Sequence, residues 1–254
     1  MKIFLKFIQI IYSIYAIMVF VLLMVVLFPF VILAGFFKET TRGNIIYYIT
    51  TFWSDAGMLL WGMPHKTFGA ENYKPDHPVI FVFNHISYID IPVLMKSLRR
   101  YRIRILGKIE MSKIPVFGFT YKAAVVMVDR SDADARARSV NKLKATLKKN
   151  ISVVIAPEGT FNMTQKPLKE FYDGAFRIAI ETQTPVKPVV FLDTYDRLHY
   201  KSIFSFTPGR SRSVFLEEVP VKDYRMEDVE VLKQKVYGIM EAALIKYKAS
   251  WIKK

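Results

Sequence analysis

The chain of 254 residues contains no cysteine. Without a thiol there is no disulfide scaffold, no thiolate metal ligand and no cysteine nucleophile, so any thiol chemistry must come with a partner. Acidic residues are scarce as well, 22 Asp and Glu against 37 Lys and Arg, and the net charge of +15 points to anionic partners or surfaces. Histidine occurs four times, and His65, His77 and His199 lack the spacing of metal ligands, so no metal site is expected. The most informative absence is local. Between Lys6 and Lys38 the chain carries no charge at all.

That run, Phe7 to Phe37, has 31 residues, mostly Ile, Val, Leu, Met and Phe. As one helix it would span about 46 Å at ~1.5 Å per residue, beyond the ~30 Å hydrocarbon core of a bilayer. Pro29 is expected to kink or end the helix, with Gly35 loosening the turn after it. A second apolar stretch, Asn44 to Met63, is broken only by Asp55 and carries Trp53 and Trp61 as interfacial anchors. Lys38 to Gly43 would join the two stretches into a hairpin. A cleaved signal peptide is set aside, because the run is too long and is followed by bulky Phe36-Phe37. A single span and a hairpin dipping into one leaflet both fit, since basic residues flank the run at both ends. Either way the sequence predicts a protein that lives at a bilayer. The mean hydropathy of +0.20, high for a chain with 23% charged residues, has its source in this segment.

From about Lys66 the pattern turns to short apolar runs alternating with helical ones, which predicts an α/β fold with a mostly parallel sheet flanked by helices. The chain thus divides into N-terminal membrane helices over 1–65 and an α/β domain over 66–254. Expected strands are Val79 to Phe83, Arg102 to Leu106, Ala124 to Val128, Ser152 to Ala156, Val186 to Leu192 and Ser213 to Leu216. Ser131 to Lys149 reads as a helix opened by a capping box of Ser131 and Asp134, and Glu227 to Tyr247 as another. The lysines near the C-terminus suit a helix end and an anionic surface.

Two strand ends carry candidate chemistry. After the first strand comes Asn84-His85-Ile86-Ser87-Tyr88-Ile89-Asp90, with His85 leaving the strand and Asp90 opening a helix. A carboxylate that holds one imidazole nitrogen fixes the tautomer and leaves the other free as a general base. Taken alone this spacing is often supplied by chance. Ser87 is discounted as a nucleophile, because it lies only two residues from its base in the same turn. The second element, Pro157-Glu158-Gly159-Thr160, again follows a strand, where α/β ligand sites form. Gly159 lets a ligand approach the backbone, and Glu158 and Thr160 offer an acceptor and a hydroxyl. Between the two lies Lys108 to Gly118, with cations beside a Pro/Gly-shaped loop, and Pro185-Val186-Lys187-Pro188 comes after them.

These four blocks, in this order, resemble the glycerolipid acyltransferases typified by the 1-acyl-sn-glycerol-3-phosphate acyltransferases, over roughly Lys66 to Leu216. The His-x4-Asp block matches at His85 and Asp90, the second block at Lys108, Pro115 and Gly118, the Pro-Glu-Gly-Thr block at Pro157 to Thr160, and the fourth at Pro185 and Pro188. The N-terminal segment is similar to the two-helix motif of bacterial members, which favours the hairpin. The resemblance implies direct acyl transfer from acyl-CoA or acyl-ACP, neither a bound cofactor, to a lysolipid hydroxyl. His85 would be the base, Asp90 its orienting carboxylate, and the domain would sit on the cytoplasmic face of a bacterial inner membrane. Lys108, Glu158, Gly159 and Thr160 are the implied substrate-binding residues. One departure stands out: where the family carries an arginine after Glu-Gly-Thr to pair with the acceptor's phosphate, this chain has Phe161, and a phenyl ring cannot bind phosphate. Lys108 by motif position, and Arg104, Lys113, Arg130 or Lys166 by sequence neighbourhood, are the cations that could compensate. The expected acceptor is 1-acyl-sn-glycerol-3-phosphate, with a head-group or amino-acid-containing lysolipid as the alternative. A non-enzymatic protein binding anionic lipid is the rival from another class, while nucleic acid is not an expected partner, because no aromatic-basic recognition motif is visible.

Overall fold

The computed structural model describes residues 2–114, 117–128 and 133–252. Two long helices come first, α1 (Lys2–Ala34) and α2 (Glu39–Leu60). The strands are β1 (His65–Phe68), β2 (Ile80–Phe83), β3 (Ile103–Lys108), β4 (Val125–Val128), β5 (Ser152–Ile155), β6 (Val186–Phe191) and β7 (Ser211–Phe215). Between and after them run α3 (Asp90–Ser97), α4 (Phe117–Ala124), α5 (Ala133–Lys148), α6 (Gly174–Thr182), the short α7 (Thr194–Arg197) and α8 (Val229–Lys246). The strands form one sheet in the order β1-β7-β6-β2-β5-β3-β4. Every pairing is parallel except β6 with β7, so the expectation of a mostly parallel sheet holds.

Strand alternation assigns the two faces of this sheet. Ile80, Val82, Val153, Ile155 and Val190 pack against Leu143 and Leu147 of α5, Phe176 of α6 and Val236 and Met240 of α8. Their neighbours Phe81, Phe83, Val154, Val189 and Phe191 face the other way, onto Val93 and Leu94 of α3, Met58 of α2 and Ala16 and Val19 of α1. The membrane-type helices therefore share a core with the α/β body. Trp61, fully buried at the end of α2, stands 5.3 Å from Phe206, and its indole N–H donates to the Ala16 carbonyl at 3.1 Å. Such aromatic contacts add about 0.5–1.5 kcal/mol beyond the area they bury.

The hairpin departs from the sequence reading in two places. α1 continues through Pro29 to Ala34, because proline removes a single helix hydrogen bond while Phe28 packs edge-on against Phe119 and Val31 and Ala34 are buried with Ala124. The connection is also shorter than Lys38 to Gly43, since α2 already begins at Glu39, an acid where the helix dipole favours one. Gly43 is tolerated there because a β-carbon would lie 2.3 Å from the Arg104 guanidinium. Among the described residues only α1 is long and apolar enough to cross a membrane. Asp55 on α2 pairs with Lys96 at 2.9 Å and Arg99 at 3.0 Å, so the charge that interrupts the second apolar stretch faces protein. Sequence reading missed β1 altogether, and the Ser131 half of the expected capping box lies outside the described residues.

Candidate active site

Five parallel strands, β6, β2, β5, β3 and β4, end on the same edge of the sheet, and the two sequence blocks meet there because β2 and β5 are direct neighbours. The chain turns sharply after Phe83, and Asp90, buried in the first turn of α3, closes that turn with one oxygen. Its Oδ2 accepts from His85 Nδ1, from the Ile86 N–H and from the Ser87 N–H, each at 2.8 Å. Since Oδ2 only accepts, the network places the proton of a neutral His85 on Nδ1 and the lone pair on Nε2. Nε2 has no hydrogen-bond partner among the described residues, and the imidazole keeps 23% of its surface exposed.

Glu158 holds the second block to the first. Its Oε1 accepts from the His85 backbone N–H at 3.0 Å and its Oε2 from that of Lys169 at 3.0 Å, while the residue is completely buried. Burial pushes its carboxyl up to about 8, against the pull of those two donors. Asn162 N–H donates to the His85 carbonyl at 2.7 Å, and Asn84, itself buried, exchanges two amide hydrogen bonds with the Phe191 backbone on β6. His85 is thus fixed from three strands' ends before any ligand arrives. Gly159 has φ +69°, the left-handed conformation that glycine adopts without strain, and its N–H donates to the Ala156 carbonyl.

The predicted binding residues separate. Thr160 precedes Phe161 in the second block, and its Oγ1 accepts from the Lys169 ammonium at 2.8 Å. Lys108 ends β3, two strands from β2 on the same edge. Arg130 and Pro115 lie outside the described residues. Arg104 faces away from this edge, near the start of β3, where its guanidinium donates to the Thr40 carbonyl, to Asn44 Oδ1 and to the Ile103 carbonyl. The Ser87 hydroxyl donates to the Leu198 carbonyl, which occupies its proton away from His85. Phe161 covers the imidazole, with ring centres 4.4 Å apart, and meets Tyr88 edge-on at 4.7 Å.

A family profile described as Acyltransferase matches residues 66–192, the stretch that carries His85, Asp90, Glu158, Thr160, Phe161 and Lys169. The chain belongs to the acyltransferase family. Among its relatives, 1-acyl-sn-glycerol-3-phosphate acyltransferase alpha of Ovis aries is 30% identical over 179 residues, which cover 70% of this chain and 61% of that protein. The 1-acyl-sn-glycerol-3-phosphate acyltransferase of Cocos nucifera is 31% identical over 163 residues, 63% of this chain and 50% of its own length. The chain therefore spans less than two thirds of the length of these relatives. In fold it is similar to the crystal structure of the 1-acyl-sn-glycerophosphate (LPA) acyltransferase PlsC from Thermotoga maritima, with a TM-score of 0.78, 22% identity and full coverage of both chains. Lys169 and the Phe161–Tyr88 cover are what the geometry adds to the sequence reading.

Proposed function

We propose that the protein is a membrane-bound acyltransferase that moves a fatty acyl group from a thioester donor to the hydroxyl of 1-acyl-sn-glycerol-3-phosphate. The observation that carries this reading is the oriented His85–Asp90 pair, with Nε2 unpartnered among the described residues, at a strand end. In the proposed reaction Nε2 takes the acceptor's hydroxyl proton while Asp90 stabilises the imidazolium. The oxygen attacks the thioester carbonyl, the tetrahedral intermediate collapses, and the departing sulfur takes the proton back from His85. Acyl-CoA and acyl carrier protein thioesters both meet this chemistry, and no enzyme nucleophile is required, in keeping with a chain without cysteine. The N–H groups of His85, Ile86, Ser87 and Gly159 are already engaged, which removes them as oxyanion donors in this conformation.

With Phe161 in place of a guanidinium, the acceptor's phosphate falls to the cations on the same edge, Lys169 beside Thr160 and Lys108 at the end of β3. The hairpin brings the acceptor within reach. α1 is held to the body near its start, where Gln9 donates to the Ser205 carbonyl and the Ser13 hydroxyl accepts from the Phe206 N–H, and near its end by Phe119. A helix clasped at both ends cannot cross a bilayer without taking those segments along. Its outward residues, Phe4, Phe7, Ile11, Met18, Leu22 and Val25, are exposed and apolar, which supports a hairpin lying in one leaflet. The domain would then face the cytoplasm, where such thioesters are made. Assaying the purified protein with acyl-CoA and acyl-ACP against lysophosphatidate and a head-group lysolipid tests the reading. Turnover of lysophosphatidate is expected. Turnover of the other acceptor alone overturns the choice of acceptor, and no turnover with any pair leaves the binding protein as the better reading.

A further inference from the structure

On the opposite edge of the sheet, where β3 and β4 begin, a cleft of about 100 Å³ opens between α2, α4 and α5. Arg42, Arg104, Lys122, Lys142 and Lys149 line it, with Glu39 as the one acid among the described residues there. This is more positive charge than its neighbours neutralise: Glu39 lies 3.6 Å from Lys142, and the buried Nε of Arg42 has no hydrogen-bond partner among the described residues. Arg104, nine-tenths buried, forms the floor. The volume admits a few waters or one phosphate group.

The cleft adjoins the apolar surface on two sides. Phe36 and Phe37, 85% and 52% exposed, precede Arg42 in the connection between α1 and α2, and Phe119, also exposed, stands one turn before Lys122 on α4. Cations beside exposed aromatics are the pattern of a membrane interface, where Lys and Arg are drawn to an anionic leaflet. We propose that this cleft is a binding site for the headgroup of an anionic phospholipid of the bilayer that holds the hairpin. It lies a strand's length from His85, so lipid bound there is neither acceptor nor product but sets how the hairpin's foot is seated.

The test uses the full-length protein in dodecylmaltoside micelles, heated with dioctanoyl phosphatidylglycerol, dioctanoyl phosphatidylcholine or inorganic phosphate. Phosphatidylglycerol should raise the melting temperature in a saturable way, and the other two should not. Lys142→Gln with Lys149→Gln should shift the saturation midpoint at least ~10-fold, as expected for the loss of two interfacial charges. Lys246→Gln with Lys248→Gln, which removes the same charge at the end of α8, should titrate like the wild type. Both pairs are exposed, and the midpoint rather than the melting temperature is read, so a small change in stability does not mask the result. Equal stabilisation by phosphatidylcholine, an equal effect of free phosphate, an unshifted midpoint in the first pair or an equal shift in the second would each overturn the proposal.

Discussion

Two histidines sit on this sheet in well-formed hydrogen-bond networks, and they are chemically opposite. His85 leaves β2 with Nδ1 on a buried carboxylate and, among the described residues, no partner on Nε2. His65 opens β1 at the sheet's edge with both nitrogens engaged by hydroxyls: Nδ1 lies 3.0 Å from Ser211 Oγ, and Nε2 lies 3.0 Å from Thr67 Oγ1 and 3.2 Å from Ser97 Oγ. Burial, reinforced by Lys96, pushes His65 down to about 4, so it stays neutral and tied. A hydrogen-bonded histidine is therefore not in itself a base. The charge of its partner and a spare lone pair make the difference.

The largest expected effect breaks the pair on one side only. His85→Ala should lower acyl transfer by at least ~100-fold and up to ~10⁴-fold, with folding and membrane association intact, and Asp90→Asn should be severely impaired. His65→Asn should leave turnover within a few-fold. Comparable losses at both positions would show that the two networks serve the same structural end. Membrane association itself should survive a high-salt wash in every variant, because the apolar face of α1 and not charge holds the protein there. Release by salt alone would refute the embedded hairpin.

Phe161→Arg sharpens the contrast at His85. If lysophosphatidate is the acceptor, the guanidinium gains a phosphate to bind and activity is kept or improved, whereas Lys169→Met should raise KM for that acceptor. If the acceptor lacks a terminal phosphate, an unpaired charge beside His85 and Tyr88 should depress turnover. Kinetics of both variants on lysophosphatidate and on a head-group lysolipid separate the cases.

The next effect is on stability. Glu158 accepts one backbone N–H on each oxygen, and Glu158→Ala leaves both donors without a partner inside the protein, so it should cost about 1–3 kcal/mol in urea unfolding. The pH profiles of the two regions run in opposite directions. The folded-state pKa of Glu158 is raised, so its contribution to stability is complete below about 4.5 and is lost as the pH rises towards about 8. That of His65 is lowered, so its contribution is complete above about 6.5 and is lost as the pH falls through about 4. Glu158→Gln should flatten the alkaline side of the stability profile, and His65→Asn the acidic side. An unchanged slope in either variant would mean that other groups set it.

Much of this was legible in the residues, because the signals were local. Short apolar strands, a histidine at one strand's end and an acid opening the next helix need only their own neighbourhood, and β2, β5, β6 and α3 lie close to their expected positions. What could not be read depends on distant partners. His65-Lys66-Thr67-Phe68 is too short and too polar to announce a strand, and it becomes one only by pairing with Ser211 to Val214. Arg104 looked like a site cation from its place beside Lys108, yet it points to α2. Lys169 was hidden by the opposite effect: eleven residues beyond Glu158, it returns to that carboxylate only because the intervening chain folds back. Pro29 does not end α1, because packing on α4 outweighs one missing hydrogen bond.

The clasping of α1 at Gln9, Ser13 and Phe28 fixes an elevation as well as an anchorage. A catalytic head on a flexible tether samples many heights above its membrane. Here the helix that would float in the leaflet and the strands that present His85 share one core, so the imidazole rides at a constant altitude, as a pen does on a plotter carriage. On the proposed reading, a lipid acylated there has to lift its hydroxyl to that height, and a longer or shorter glycerol-side spacer is expected to miss the tip while still binding the bilayer beneath it.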